Sequence, residues 1–166
     1  NSLLAKRVIA KLYEASANGV KIDLIVRGIC TLRPGIAGVS DHITVRSIVG
    51  RFLEHHRLFY FRNGGNEKLF LSSADWMPRN LNERVELMIP IEDKRHKSRI
   101  KGILDLYLVD TLKTHIMRAD GSYYKASNVE GPLSAQEELM EAANTQDNKE
   151  QMTVIERFKP KFKMKE

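Results

Sequence analysis

Arg51–Glu86, reading RFLEHHRLFYFRNGGNEKLFLSSADWMPRNLNERVE, decides how this chain is read. Leu58–Phe61 and Lys68–Leu71 are apolar and aromatic runs of strand character, and Asn63-Gly64-Gly65-Asn66 between them is a strong turn signal. The stretch predicts a β-hairpin. With the turn centred near Gly65, Phe61 faces Leu69, Arg57 faces Ser73 and His55 faces Asp75. Directly opposed residues share a sheet face, as do residues two apart on one strand. His55, Arg57, Ser73 and Asp75 are therefore expected on one patch, and a slip of one residue would put Ser72 in place of Ser73. Such a patch suits an anion. The plainer alternative is a half-exposed hairpin end carrying ordinary polar residues.

Working outward, Leu4, Val8, Leu12 and Ala15, flanked by Ile9 and Tyr13, form the apolar stripe of a helix that Asn18-Gly19 ends. Lys21–Arg27 reads as a strand whose carboxyl end presents Arg27, and ligands of open α/β sheets gather at such ends. Thr31–Asp41 (TLRPGIAGVSD) is a loop free to wrap a ligand, or a simple connection. Thr44–Val49 and Val85–Ile89 are further strands. Near-continuous apolar strands such as Leu24-Ile25-Val26 and Leu69-Phe70-Leu71 predict a sheet covered on both faces. Lys94–Leu112 carries Ile100, Ile103, Leu104, Tyr107 and Leu108 at helical spacing, a packing pattern. Thr114–Arg118 is a short strand to which Tyr123-Tyr124 could pair back, and Leu133–Ala143 an acidic helix. The fold class is thus α/β, a mixed β-sheet flanked by helices, in a domain over residues 1–145. Residues 146–166 read as a basic, disordered tail, with polyanion contact as its functional alternative.

The chain has 166 residues, 42% hydrophobic and 29% charged, enough for one domain with a core. No apolar run approaches a membrane span and no signal peptide opens it, so a cytoplasmic protein is expected. It begins without methionine on Asn1-Ser2, as a piece of a longer polypeptide would. With Cys30 as the only cysteine, an internal disulfide and a cysteine-based metal site are both ruled out, and zinc is not expected. The net charge of +6 and pI near 9.5 favour polyanions: nucleic acid, anionic lipid headgroups or chains of phosphate.

Arginine suits phosphate because its planar fork makes paired charge-assisted hydrogen bonds and stays protonated. Arg27, Arg51, Arg57 and Arg79 fall at predicted strand ends or loops. Their grouping around His55 carries the case, since histidine titrates near neutrality and can accept, donate or carry a transferred group. His56 should point to the opposite face. His42, His96 and His115 read as surface or packing residues.

These residues carry a resemblance to two nested families. His55-x-Arg57, then Ser72-Ser73-Ala74-Asp75, then Pro78-Arg79 and Glu86 resemble the second half of the phospholipase-D-like superfamily, whose pattern is histidine, lysine two residues on, Gly/Ser-Ser-x-Asn and a later Asn-x-Glu. Arg57 replaces the lysine, Asp75 the asparagine and Arg84 the later asparagine, and Arg62 stands where an acidic residue is expected. Those departures argue against a phosphodiesterase or nuclease with His55 as nucleophile. VRGICTLRPG (Val26–Gly35), RSIVGRFLEHHRLFYF (Arg46–Phe61) and NGG followed by LSSADWMPRN (Leu71–Asn80) closely resemble the C-terminal catalytic domain of bacterial polyphosphate kinase, the type that autophosphorylates on histidine. The match is dense from Asn1 to about Ile91 and looser to about Tyr124.

The resemblance implies a phospholipase-D-like half domain and reversible transfer of the ATP terminal phosphoryl group to inorganic polyphosphate, through a phosphohistidine and with Mg2+. It implies ATP/ADP and polyphosphate as partners, together with the preceding domains of the full-length enzyme, one of which carries the phosphorylated histidine. By motif, Arg27 and His55 would contact nucleotide phosphate, with His55 also the acid that protonates a leaving oxygen, and Glu86 would orient that histidine. Arg57, Ser73 and Asp75 complete the ATP/phosphate set on geometric grounds, and no residue is assigned to a metal. The isolated chain should be catalytically silent. A basic nucleic-acid module is the rival binding reading; it would show exposed aromatics or a recognition helix, whereas Phe59, Tyr60 and Phe61 look like core. The full-length enzyme is expected in the cytoplasm, with peripheral membrane attachment and homo-oligomerisation left open.

Overall fold

The computed structural model describes residues 1–126 and 131–145, so the tail assigned to 146–166 lies outside the described residues. Residues 1–5 run extended between two other segments: Leu3 N–H donates to the Ile29 carbonyl, and the Leu4 and Ala5 N–H groups both donate to the Trp76 carbonyl, each at 2.8 Å. Leu4 therefore precedes the helix it was expected to open. Helix α1 (Lys6–Ala17) lays Val8, Ile9, Leu12 and Tyr13 on the core and ends at Asn18, whose side chain donates to the Glu14 carbonyl at 2.7 Å.

Strands β1 (Ile22–Ile25) and β2 (Ile43–Ile48) pair in parallel, with Ile25 beside Arg46. β6 (Thr114–Met117) adds antiparallel to β2, and β7 (Tyr123–Lys125) to β6, so the back-pairing of Tyr123-Tyr124 is realised. The result is a four-stranded mixed sheet in the order β1-β2-β6-β7. Its two faces are both covered, as the apolar runs required. Ile22, Leu24, Ile43 and Val45 join one core cluster with α1, while Ile25 and Ile48 join another with Tyr107, Ile103 and Leu106 of helix α3 (Lys94–Val109).

The hairpin belongs to a second sheet. β3 (Arg57–Phe61), β4 (Lys68–Ser72) and β5 (Met88–Pro90) form a three-stranded antiparallel unit, so the expected mixed sheet is two sheets. The register also differs by one from the expectation: Phe61 faces Lys68 and Arg57 faces Ser72. The cause is the turn, in which Asn63, Gly64 and Gly65 all take left-handed backbone angles (φ 46°, 61° and 96°) and wind a short 3-10 turn. β5 begins three residues later than expected because Leu87 is held by serines rather than by the ladder. The Ser72 hydroxyl donates to its carbonyl and its N–H donates to the Ser73 hydroxyl, both at 3.0 Å. Trp76 joins the sheets: its ring stacks on Phe59 at 4.8 Å while it packs against the core around Leu3.

Two further segments correct or sharpen the reading. Loop 31–41 is closed on itself by the fully buried Ser40, whose hydroxyl donates to the Arg33 carbonyl at 2.8 Å and accepts from Ile36 N–H at 2.9 Å. It is not free to wrap a ligand. Arg79 lies in the short helix α2 (Pro78–Asn82), which proline starts, rather than in a loop. The acidic segment forms helix α4 over residues 135–145. Among the described residues no helix is long and apolar enough to cross a membrane.

Candidate functional site

Because β1 and β2 are parallel, their carboxyl ends open on one rim, and the segments that follow them meet there. Arg27 follows β1, and residues 49–56, which hold neither helix nor strand, follow β2 and carry His55. Backbone without a ladder needs other partners for its N–H and C=O groups. Two arginines supply donors for two of the carbonyls. Arg27 Nε donates to the Glu54 carbonyl at 2.7 Å, and Arg57 Nη1 donates to the His55 carbonyl at 2.5 Å. Arg27 and the exposed His55 thus lie on neighbouring segments at this rim. Arg27 keeps its two Nη groups without a hydrogen bond among the described residues, a fork matched to paired phosphate oxygens.

Asp75 joins this group despite the shifted register. Arg57 Nε donates to one of its oxygens at 3.0 Å and the Asn1 side-chain amide to the other at 2.9 Å. Burial alone would raise the Asp75 carboxyl, but the Arg57 and Asn1 hydrogen bonds and the Arg57 charge outweigh it and hold the group below the usual range. Asp75 is thus a fixed carboxylate that orients Arg57. It is not free to bind a ligand directly.

Ser73 and Glu86 form a separate pair next door. The Ser73 hydroxyl hydrogen-bonds one Glu86 oxygen, and the Asn80 amide donates to the other at 2.7 Å. These two bonds, Ser73 first, hold the Glu86 carboxyl low. The expected hydrogen bond from the His55 ring to Glu86 is not formed among the described residues; Glu86 accepts from Ser73 and Asn80 instead. Ser73 follows the end of β4 and continues its pairing toward β5, where its N–H donates to the Leu87 carbonyl at 3.1 Å, which sets its hydroxyl beside Glu86. Glu86 fastens the Ser73 turn to α2.

Among the histidines of this segment, the one with a carboxylate partner is His56. Its Nδ1 lies 3.2 Å from Glu54 Oε2, and its ring tilts against Tyr107 at 5.4 Å between centroids. Burial lowers the His56 pKa, with the Glu54 carboxylate opposing. Tyr107 donates to Glu54 Oε1 at 2.6 Å, and burial first, then that bond, raises its phenol. These groups and Gln136 edge a cavity of about 560 Å³ otherwise lined by apolar residues such as Leu58, Ile103 and Leu139. Sequence reasoning treated Tyr107 as packing alone and did not single out Glu54, Asn80 or Gln136. Only the alternation that turns His56 away from His55 pointed toward this cluster.

Among the described residues no group of three or more His, Cys, Asp or Glu stands close enough together to hold a metal ion. The carboxylates of the rim are engaged as described, Asp75 by Arg57 and Asn1, Glu86 by Ser73 and Asn80.

Residues 1–136 match the family model described as polyphosphate kinase C-terminal domain 2. The chain is 54% identical over 143 residues to the polyphosphate kinase of Pseudomonas aeruginosa, covering 85% of this chain and 21% of that protein. It is 56% identical over 128 residues to the polyphosphate kinase of Bacillus anthracis, covering 77% of this chain and 18% of that protein. The crystal structure of polyphosphate kinase from Porphyromonas gingivalis superposes with a TM-score of 0.83 at 41% identity, covering 90% of this chain and 23% of that one. The chain spans about a fifth of the length of the curated relatives it matches.

Proposed function

The chain belongs to the polyphosphate kinase family, as a C-terminal domain of such an enzyme, and on that footing we propose that it supplies the nucleotide-phosphate contacts and the acid–base group for reversible transfer of the ATP terminal phosphoryl group to polyphosphate. One observation carries the reading. Arg27 and Arg57 fasten the backbone carbonyls of Glu54 and His55, so the exposed His55 stands on an otherwise irregular segment whose backbone two guanidinium groups hold.

In this reading the bond between the γ-phosphorus and its bridging oxygen breaks, a phosphorus–nitrogen bond forms on a histidine outside this chain, and ADP leaves. The terminal oxygen of polyphosphate then displaces that histidine. Arg27 meets the phosphate oxygens with its free Nη fork, where a forked cation offsets the charge spread over them. His55 donates a proton to the leaving bridging oxygen and recovers one in the reverse direction. Arg57 holds the His55 carbonyl, Asp75 orients Arg57, and Glu86 with Ser73 anchors the neighbouring turn. Mg2+ would arrive with the nucleotide and offset phosphate charge; the described residues offer it no group of three or more His, Cys, Asp or Glu, and none of the steps assigned to this chain runs through it. ATP, ADP, polyphosphate and the remaining domains of the full-length enzyme are the partners, in the cytoplasm.

The test uses the full-length enzyme and the chain alone. His55→Ala in the full-length enzyme should lower turnover by about a hundredfold to ten-thousandfold, the range for one positioned acid or base. Polyphosphate should displace ATP from the full-length enzyme more readily than DNA does. Incubated with radiolabelled ATP, the chain alone should remain unlabelled and make no polyphosphate. Stable acid-labile, base-resistant labelling of it would place the nucleophilic histidine here and remove the reading.

A further inference from the structure

We propose that Gln136 is a positioning residue that sets where the His55 segment stands, and that residue 50 is glycine to let it do so. The proposal deepens the reading of the rim as the nucleotide-phosphate site and rests on it.

Residues 49–56 have no ladder, yet Phe52 is held as if it had one. Gln136 Oε1 accepts from the Phe52 N–H at 3.0 Å, and Gln136 Nε2 donates to the Phe52 carbonyl at 2.8 Å. A primary amide that accepts from and donates to one residue does the work of an adjoining strand's peptide. The same Nε2 also donates to Glu54 Oε1 at 2.9 Å. Gln136 thus grips the segment at two points on the approach to His55, while only 5% of it remains exposed.

Gly50 provides the second, independent observation. A Cβ built there would lie 2.3 Å from Gln136 Oε1 and 2.9 Å from its Cδ, so any side chain would drive the amide from its place. The Gly50 φ is not left-handed, and conformational freedom does not explain the glycine. Space does.

The grip is transmitted through Glu54. Its carboxylate takes Gln136 and Tyr107 on one oxygen and faces His56 with the other, while its backbone carbonyl takes Arg27. Gln136 is itself anchored at the start of α4. The Ala135 N–H donates to the buried Asp110 at 2.8 Å, and the Leu133 carbonyl accepts from Thr111 and Leu112 N–H at 3.0 and 3.1 Å. A chain of contacts therefore runs from the end of α3 through Gln136 and Glu54 to Arg27. A segment more than eighty residues downstream fixes the height of the rim.

The experiment is a cycle in the full-length enzyme: Gly50→Ala, Gln136→Ala and the two together, with Gln136→Glu and His55→Ala alongside. Misplacing a reacting group by about 1 Å costs about a hundredfold, so each single variant should lose about tenfold to a hundredfold in kcat/KM for ATP. The double variant should lose no more than Gln136→Ala alone, since the Cβ at position 50 then has nothing to displace. Gln136→Glu keeps the acceptor for Phe52 N–H but brings two carboxylates together. Its activity relative to wild type should recover as pH falls and a shared proton restores a donor, with His56, which faces the same Glu54, titrating beside it. A crippled His55→Ala beside a folded Gln136→Ala of normal kcat/KM would overturn the proposal and leave the site reading standing. Losses that add in the double variant would overturn it too. A normal His55→Ala would instead remove the site reading, and the same cycle read in thermal midpoints would still decide whether Gln136 and Gly50 form one latch.

Discussion

Replacing Arg57 by lysine, the residue the wider superfamily pattern has at this place, tests whether the rim depends on a fork rather than on a charge. Arg57 makes two bonds from different nitrogens, Nε to Asp75 at 3.0 Å and Nη1 to the His55 carbonyl at 2.5 Å. A lysine ammonium is a point donor on a flexible stem and can serve one of these partners in good geometry, not both. The loss is then one hydrogen bond to or from a charged group, about 1.5–3 kcal/mol. For a chain of this size that corresponds to a fall in thermal midpoint of about 3–12 °C. The assay is thermal unfolding of the 166-residue chain at pH 7, followed by ATP kinetics of the full-length variant, whose half-saturation level should rise because the His55 backbone is no longer held. Asp75→Asn serves as the companion. The Asp75 carboxyl is held below its ordinary 3.8, so its contribution to stability is complete above that value and is lost as pH falls through the lower folded value. The gap between wild type and Asp75→Asn should therefore be constant near neutrality and close only below about pH 4. An Arg57→Lys chain with the wild-type midpoint, or an Asp75→Asn gap that widens in acid, would refute the argument.

Two further outcomes follow from the contacts. Glu86→Gln in the full-length enzyme should keep turnover well above the level of His55→Ala, because Glu86 holds Ser73 and Asn80 and makes no bond to His55; steady-state kinetics of both variants settle it, and equal losses would put Glu86 back behind the imidazole. Tyr107→Phe removes one of the donors on Glu54 while leaving the ring in the core, and should cost about 1 kcal/mol, or a few degrees in midpoint, with Gln136 still in place.

What could be read from the sequence was whatever is written in nearby residues. The hairpin, the existence of the strands that precede Arg27 and the His55 segment, and the covering of the first sheet on both faces all follow from apolar runs and turn residues a few positions apart, whereas the parallel pairing of the first two strands does not. The register did not, because it depends on how many residues the Asn-Gly-Gly turn absorbs. That number is set by three successive left-handed backbones rather than by composition. The error of one residue mattered chemically. It put Ser72 rather than Ser73 opposite Arg57, while Ser73, beside Leu87 on the β5 side, bonds Glu86. Arg57 and Asp75 still met, since a long guanidinium stem tolerates a shift that a serine hydroxyl does not.

The contacts that hold the His55 segment were hidden for a different reason. Each joins residues far apart in the chain through a side chain whose type is common: Tyr107 and Gln136 look like packing and helix surface until Glu54 and Phe52 are set beside them. Gly50 was the local trace of one of them, yet a glycine before an irregular segment ordinarily signals a backbone requirement. Only the amide standing where its Cβ would be shows that the requirement is spatial. An irregular segment can carry an accurately placed histidine only if something substitutes for the missing ladder. Here the substitutes are two arginines and a glutamine, so the segment's placement depends in part on Arg57 and Gln136, which hold backbone rather than phosphate in the proposed reaction.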